Sequence, residues 1–255
     1  MSNERPAVSL SNRFDVHSHL LPGVDDGCES IEESIACARM LVAAGYATTF
    51  CTPHVWPGDF DTTTTTIPAM VTRLADELAR REIPLRLIPG GELNLRPGLE
   101  TWPDERMVTY GMRGRHVLVD LWADQLPAEF DGWIRFLQAR RFGTLAAGGL
   151  KVIFAHPERM KAVQTQPVLM DKFAEMGLLL QGNLKCLSDP VDSPTRRLGE
   201  KFLSEGRYFL LGSDLHRLDT LPGRMEGLKR AIELVGEKAV DRLTVENPRM
   251  LIESD

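Results

Sequence analysis

Cysteine is scarce in this sequence, and its few occurrences exclude several kinds of site. The 255-residue chain has four, with no CxxC pair among them: Cys28, Cys37, Cys51 and Cys186. This spacing fits neither a secreted disulfide framework nor a cysteine zinc site, and it indicates reduced thiols. An enzyme with a C-x5-R cysteine nucleophile is also excluded, because the residues six positions after the cysteines are Ser34, Ala43, Pro57 and Asp192.

Long apolar runs and an excess of basic charge are also missing. No apolar run approaches the roughly 18 residues needed to cross a bilayer. The N-terminal segment MSNERPAVSLSNR lacks the apolar core of a signal peptide. The net charge of −6 gives no electrostatic reason to expect nucleic acid as a partner. We therefore expect a cytoplasmic protein that neither inserts into a membrane nor binds nucleic acid.

The sequence does contain a regular alternation of two patterns. Short apolar segments typical of parallel strands occur at 13–17, 47–52, 85–89, 116–121, 151–155, 178–182 and 207–211. Helical patterns occur at 30–44, 67–82, 127–141, 160–176, 194–205, 222–235 and near 237–245. The alternation predicts one α/β domain over 1–255, with 1–12 as a flexible N-terminal tail. A barrel or near-barrel is favoured, and a doubly wound open sheet is the alternative.

Residue types that bind metals gather where these strands end. Five of the six histidines fall there, together with several carboxylates; the set is His17, His19, His54, Glu92, Asp120, His156, Asp214 and His216. In a parallel barrel the carboxyl ends of the strands meet at one face. Imidazole and carboxylate groups are ligands of zinc, manganese and iron. The sequence therefore predicts a metal site at that face.

Each of these residues also has a structural interpretation. Asp25 and Asp26 stand in a Pro/Gly turn, and for Asp25 we favour a turn role. Glu92 and Asp214 have the positions of helix-capping acids. Asp120 is different, because it lies inside an apolar strand and needs a cation or hydrogen-bond donors around it. His116 begins a strand without a carboxylate neighbour, and we interpret it as structural.

Five segments carry a resemblance to a known family: DVHSHLLPGVDDG, ESIACARMLVAAGYATTFCTPH, GGEL, AHPERM and GSDLHRLD. In this order, over nearly the whole chain, they resemble the PHP (polymerase and histidinol phosphatase) superfamily. More narrowly, they are similar to the CpsB/CapC-type bacterial tyrosine-protein phosphatases of capsule and exopolysaccharide clusters. The TPH at 52–54 fits this branch, since other branches typically read closer to TDH.

The resemblance implies a distorted (β/α)7 TIM-like barrel with two or three divalent metal ions, most often manganese, with iron or zinc also used. Its motifs carry the ligand role to nine residues: His17, His19, Asp26, His54, Glu92, Asp120, His156, Asp214 and His216. Nine ligands exceed one tetrahedral site and suit several ions that share carboxylates. Arg159 would bind phosphate, and Asp214 or His216 would assist the leaving group.

Two departures from the family pattern concern individual residues. The fourth-strand ligand is usually glutamate, whereas this chain has the shorter Asp120. An arginine usually follows the last histidine by five residues, where this chain has Leu221. Arg217 is our expected replacement for substrate binding, with Arg224 as the alternative.

The resemblance further implies the reaction and its substrate. A metal-activated hydroxide would hydrolyse phosphotyrosine on a protein, expected to be the tail of a bacterial tyrosine kinase that controls polysaccharide synthesis. One alternative is a PHP phosphoesterase for a small metabolite, such as histidinol phosphate or a sugar phosphate. Another is a non-catalytic, metal-stabilised regulator that binds the kinase tail. Homo-oligomerisation is compatible with all three.

Overall fold

Parallel strands form the framework of the molecule in the computed structural model, which describes residues 12–141 and 149–253. The strands are β1 Arg13–Ser18, β2 Tyr46–Cys51, β3 His54–Val55, β4 Arg86–Pro89, β5 Glu92–Asn94, β6 His116–Asp120, β7 Lys151–Ala155, β8 Leu179–Asn183 and β9 Leu210–Gly212. The predicted N-terminal tail lies, except for residue 12, outside the described residues. No helix in the described part of the chain is long and apolar enough to cross a membrane.

Two of the seven predicted strands are interrupted. The second, predicted over 47–52, corresponds to β2 and resumes after Pro53 as β3; the third, predicted over 85–89, corresponds to β4 and resumes after Gly90-Gly91 as β5. Backbone bonds continue across both gaps, from Gly90 N–H to the Cys51 carbonyl at 2.9 Å and from Glu92 N–H to the Pro53 carbonyl at 3.0 Å. The nine strands therefore occupy the seven predicted positions.

The strands follow one another in chain order around the fold. One parallel sheet has the order β1-β2-β4 and the other β3-β5-β6-β7-β8-β9. A parallel bridge between Ser18 and Leu215 joins the first strand to the segment after the last. The His19 N–H bonds the Leu215 carbonyl at 2.7 Å, and the Asp214 N–H bonds the His17 carbonyl at 2.8 Å. The predicted parallel α/β fold is confirmed, and the order lacks the reversal of a doubly wound sheet.

Helices connect successive strands. They are α1 Ile31–Ala43, α2 Thr66–Arg80, α3 Phe130–Ala139, α4 Lys161–Thr165, α5 Leu169–Glu175, α6 Leu184–Leu187, α7 Pro194–Ser204, α8 Leu221–Val235, α9 Glu237–Asp241 and α10 Asn247–Arg249. Ser30 caps α1 by accepting a bond from the Glu33 N–H at 3.2 Å. The helix predicted over 160–176 is two helices, because Pro167 cannot continue the first.

Two apolar cores lie on the two sides of the strands. The larger packs the helices against the strands. The smaller gathers side chains from six strands and includes Phe14, Val16, Phe50, Ile88, Leu118, Ile153 and Leu210. Side chains from so many strands meet only inside a barrel-like ring. This inner core fills the interior and leaves the carboxyl ends of the strands for polar groups.

The packing of α8 against α6 gives a stability prediction. A Cβ at Gly227 would lie 1.8 Å from the Leu184 carbonyl oxygen, whereas one at Gly132 of α3 would meet nothing within 4 Å. We expect Gly227→Ala to lower the free energy of unfolding by about 1–3 kcal/mol through overpacking. Gly132→Ala should raise it by roughly 0.5–1 kcal/mol through helix propensity. Urea unfolding of both variants checks this, and equal stabilities would contradict the close approach.

Candidate metal centre

The nine predicted ligand residues meet at the carboxyl ends of the strands. Their nitrogen and oxygen atoms fall into four groups in which the ligand atoms lie within 4.8 Å of one another. These groups are His19, Asp26, His54 and His216; His17, His19 and Glu92; His17, His156 and Asp214; and His54, Glu92 and Asp120. Each of the nine residues belongs to at least one group, and shared members connect the four groups into one cluster.

Glu92 lies at the middle of this cluster and is buried. Its Oε2 is 3.2 Å from His17 Nε2, 3.4 Å from His19 Nε2 and 3.0 Å from His54 Nδ1. Its Oε1 is 3.2 Å from His156 Nε2. One carboxylate therefore faces four imidazoles that come from three different strand ends.

Asp25 does more than the turn role predicted for it. Its Oδ1 accepts the Gly27 N–H at 3.1 Å, as a turn aspartate does. Its Oδ2, however, lies 2.6 Å from His19 Nδ1 and accepts the His54 N–H at 2.9 Å. Asp25 therefore has the predicted turn role, and this buried carboxylate also orients the His19 ring and holds the backbone of His54. Asp26 is the more exposed of the pair, with Oδ1 3.4 Å from Nε2 of both His54 and His216.

Two further polar residues of the site were missed in the sequence. Gln181 Oε1 lies 2.9 Å from His17 Nδ1, and Asn183 Nδ2 donates to Asp214 Oδ2 at 2.7 Å. Both belong to β8 and are buried. The criterion that identified Asp120, a polar residue inside an apolar strand, would have found them. Carboxylates and amides that hold the second ring nitrogen of a ligand imidazole fix its tautomer and orientation.

The backbone is strained at two of the nine residues. His156 has φ 35° and Asp214 has φ 51°, both in the left-handed region. Residues other than glycine rarely adopt this region, and they do so most often at functional sites. The buried Arg224 supports the second position by donating through Nε to the carbonyl oxygens of Ser213 at 2.8 Å and Asp214 at 3.0 Å. Arg224, the alternative to Arg217 in the sequence analysis, thus holds the backbone at Asp214 and lines the cavity over the cluster.

The pKa values of the ionisable groups in the cluster shift in different directions. Burial opposes ionisation of Glu92, but attraction to His17 and the nearby imidazoles of His156 and His19 hold its pKa well below the ordinary value. At Asp120, burial and repulsion from Glu92 raise the pKa to about 7. Burial also lowers the pKa of His156, which favours the neutral, metal-binding imidazole. At Asp120, attraction to His54 and His17 and the hydrogen bond from Asn94 offset burial and the repulsion from Glu92 only in part.

Unpartnered polar atoms test whether these residues fit a metal. Among the described residues, the buried side-chain atoms without a hydrogen-bond partner include His54 Nδ1 and Nε2, Glu92 Oε2 and Asp120 Oδ2. Such atoms cost free energy in a protein interior unless something binds them. The four atoms belong to three residues, His54, Glu92 and Asp120, which together form one of the groups of potential ligands. The donor set therefore fits a divalent cation.

A cavity of about 360 Å³ lies over the cluster, and Arg159 is at its wall. The Arg159 Nη1 donates to Asp214 Oδ2 at 2.7 Å, and the side chain remains 46% exposed. A ligand can therefore reach this guanidinium beside the candidate metal ligands. Arg217 lies elsewhere, because its guanidinium pairs with Glu29 and Glu33 and does not line the cavity. The structure thus brings Arg159, but not Arg217, to the cluster.

Comparison with known proteins gives a family and a fold. The family model described as "Capsular polysaccharide synthesis, CpsB/CapC" matches residues 13–253. The tyrosine-protein phosphatase YwqE of Bacillus subtilis is 26% identical over 211 residues, which cover 81% of this chain and 78% of that protein. The tyrosine-protein phosphatase CpsB of Streptococcus pneumoniae is 28% identical across 94% of this chain and 98% of that protein.

Solved structures show the same architecture. One from a study of B. subtilis YwqE and S. pneumoniae CpsB, described as metal-dependent tyrosine phosphatases, superposes with a TM-score of 0.82 at 24% identity and covers 94% of each chain. The lactonase Lmo2620 of Listeria monocytogenes gives a TM-score of 0.58 at 12% identity over 96% of each chain. At these identities the similarity establishes the fold.

The contacts of Asp25 give a prediction for metal binding. We expect Asp25→Asn to weaken divalent-metal affinity by about 10–100-fold, because the carboxylate that orients His19 is lost. Asp76→Asn, on the exposed face of α2, is the control and should bind metal as the unchanged protein does. Isothermal titration with Mn²⁺ measures both. Unchanged affinity in Asp25→Asn would show that His19 needs no orienting group.

Proposed function

The chain belongs to the CpsB/CapC family of capsular polysaccharide synthesis, and from that membership we propose that it is a metal-dependent phosphotyrosine-protein phosphatase. The observation that carries the proposal is the nine-residue cluster beside Arg159, because phosphoester hydrolysis needs both bound cations and a phosphate-binding group. The curated relatives YwqE and CpsB bear the name tyrosine-protein phosphatase. The substrate class comes from these relatives and the reaction type from the residues.

The nine residues would hold two or three divalent ions. The group of His19, Asp26, His54 and His216 is the most accessible of the four, because Asp26 is half exposed and His216 is 23% exposed. The other three groups are buried. Two of them share His17, and two share Glu92. A mixture of imidazole and carboxylate donors suits manganese, iron or zinc, and we propose manganese as the usual occupant. Asp120 would complete the deepest group together with His54 and Glu92.

The bound ions would supply hydroxide at neutral pH and neutralise charge on the phosphoryl oxygens. Arg159 would bind those oxygens, since a planar guanidinium matches phosphate geometry with paired N–H donors. When the phosphorus–oxygen bond to tyrosine breaks, the departing oxygen needs a proton. Asp214 is a poor donor: burial raises its pKa, but His17 and the other surrounding histidines together outweigh burial and hold the pKa well below the ordinary value. His216, more exposed and with Nδ1 3.0 Å from the Asp214 carbonyl oxygen, is the better placed of the two.

In the cell, we propose that the substrate is the phosphorylated tail of a bacterial tyrosine kinase of polysaccharide export. The family description concerns capsular polysaccharide synthesis, and a kinase that controls this process would present phosphotyrosine. Such a tail is cytoplasmic, which agrees with the expected location of the chain.

Removal of single ligand residues tests the metal mechanism. We expect His17→Ala and His156→Ala to reduce p-nitrophenyl phosphate hydrolysis by at least about 10²-fold, because each removes an imidazole from the buried groups of candidate ligands. Cys51→Ser is the control and should keep its activity, because Cys51 is a buried strand residue outside the cavity. Full activity in either histidine variant would exclude hydrolysis at this cluster.

A comparison of substrates separates the proposal from the metabolite alternative. With Mn²⁺ present, we expect kcat/KM for a phosphotyrosyl peptide to exceed that for histidinol phosphate by at least about tenfold. A preference for histidinol phosphate would instead assign the site to a small metabolite. The metal content of the same preparation, measured by elemental analysis, should be two or three ions per chain, and a value well below two would contradict the cluster.

A further inference from the structure

Trp122 is a large aromatic side chain that remains in solvent next to the candidate metal centre. It is 64% exposed and follows β6 by two residues. Three other large apolar side chains in the described ranges are similarly exposed, namely Val168, Val191 and Met250. Trp122 differs from them because it lines the cavity over the metal cluster. Exposed aromatic surface of this kind, at the edge of a polar site, marks a place where a ligand binds.

Neighbouring aromatic rings hold Trp122 in position. Its ring lies edge-on to Trp56, with centroids 4.9 Å apart and an interplanar angle of 89°. Trp56 in turn lies 5.8 Å from Phe60 and 4.7 Å from the ring of His54, one of the candidate ligands. We name Trp56, Phe60 and Trp122 the aromatic wall. Because one edge of Trp122 is held by Trp56 while most of the side chain is exposed, its orientation is set before any ligand arrives.

A second cavity, of about 410 Å³, adjoins the first. Three residues line both: Trp122, His156 and Arg159. The rest of the second cavity is largely apolar, with Leu121, Ala123 and Met160 in its wall. The opposite charges of Asp124 and Lys161, which also line it, offset one another. The shared residues therefore divide a charged compartment from an apolar one.

We propose that the second cavity, with Trp122 as its aromatic face, binds the ring of an aryl phosphate and thereby selects phosphotyrosine over alkyl phosphates. This inference rests on the proposed function, since it names the part of that site which recognises the leaving group. In an aryl phosphate the ring is bonded directly to the ester oxygen. When the phosphoryl group lies at Arg159, the ring has to enter the space beside it, and Trp122 faces that space.

Alkyl phosphates have no aromatic ring that could occupy the second cavity. In phosphoserine, a single methylene links the ester oxygen to the peptide backbone. One methylene offers little apolar area to bury against an aromatic surface, so it adds little binding free energy. The charged compartment treats both kinds of phosphoryl group alike, because its donors contact only the phosphate. Selection between them therefore resides in Trp122 and its apolar neighbours.

Binding of two phosphonates, which resist hydrolysis, tests the inference separately from catalysis. Phenylphosphonate carries the ring, and methylphosphonate carries the same charged group without it. On Mn²⁺-loaded protein, we expect Trp122→Ala to weaken phenylphosphonate binding about tenfold and methylphosphonate binding less than about twofold. Trp122→Phe should restore most of the affinity for phenylphosphonate. Val168→Ala, an exposed apolar side chain outside both cavities, is the control and should change neither affinity.

Hydrolysis provides a second readout. For Trp122→Ala we expect KM for a phosphotyrosyl peptide to rise about tenfold, with kcat/KM for a phosphoseryl peptide changed by less than about twofold. Equal loss for both phosphonates, or no loss for phenylphosphonate, would overturn the inference. If the unchanged protein hydrolysed no phosphoester, the proposed function would fail, while the ratio of the two phosphonate affinities would still decide whether Trp122 binds an aryl ring.

Discussion

The site depends on one buried carboxylate, Glu92, which lies within 3.0–3.4 Å of imidazole nitrogens from His17, His19, His54 and His156. A buried anion is tolerated only with compensating positive charge or hydrogen-bond donors. The surrounding architecture provides these, because three strand ends bring their histidines to the same point. The interruption at Gly90-Gly91 lets the chain bend there. A Cβ on Gly91 would lie 2.8 Å from Val108 and 2.9 Å from Val55, so the approach of β5 to its neighbours requires glycine.

Burying so many polar groups in one place lowers the stability of the fold, and other interactions offset part of this cost. His156 and Asp214 adopt left-handed backbone conformations, which cost about 1–3 kcal/mol each. Backbone bonds hold both residues, from His156 N–H to the Gln181 carbonyl and from Asp214 N–H to the His17 carbonyl, each at 2.8 Å. The inner apolar core below them supplies rigid packing that does not depend on the metal. The strained residues therefore lie on a support able to keep them in place.

The sequence was sufficient to predict the strands and the cluster, because both depend on local pattern. Apolar segments located all seven strand positions, and polar residues at their ends located eight of the nine residues that the structure brings together; the ninth, Asp26, came from the family resemblance. The contact of Asp25 with His19 was not predicted, because an aspartate in a turn looks the same in sequence whether or not it also orients a histidine. The contact of Asp25 with His54 spans 29 positions, and that of Gln181 with His17 spans 164. Contacts of that range follow from the folded arrangement of the strands. The break in the helix predicted over 160–176 is different, since it follows from a local feature of the sequence, Pro167.

The two tasks of a phosphatase fall on different parts of this chain. The strand ends carry the candidate metal ligands, the groups that we propose act on the phosphoryl group. The segments after β3 and β6 carry Trp56, Phe60 and Trp122, whose rings contact that of His54. Of the three, Trp122 lines the neighbouring cavity. Loops on a rigid barrel can change without disturbing the residues at the strand ends. Substrate preference can therefore vary in a chain like this one while the metal cluster stays the same, and the side chains that follow β3 and β6 are where such variation would act.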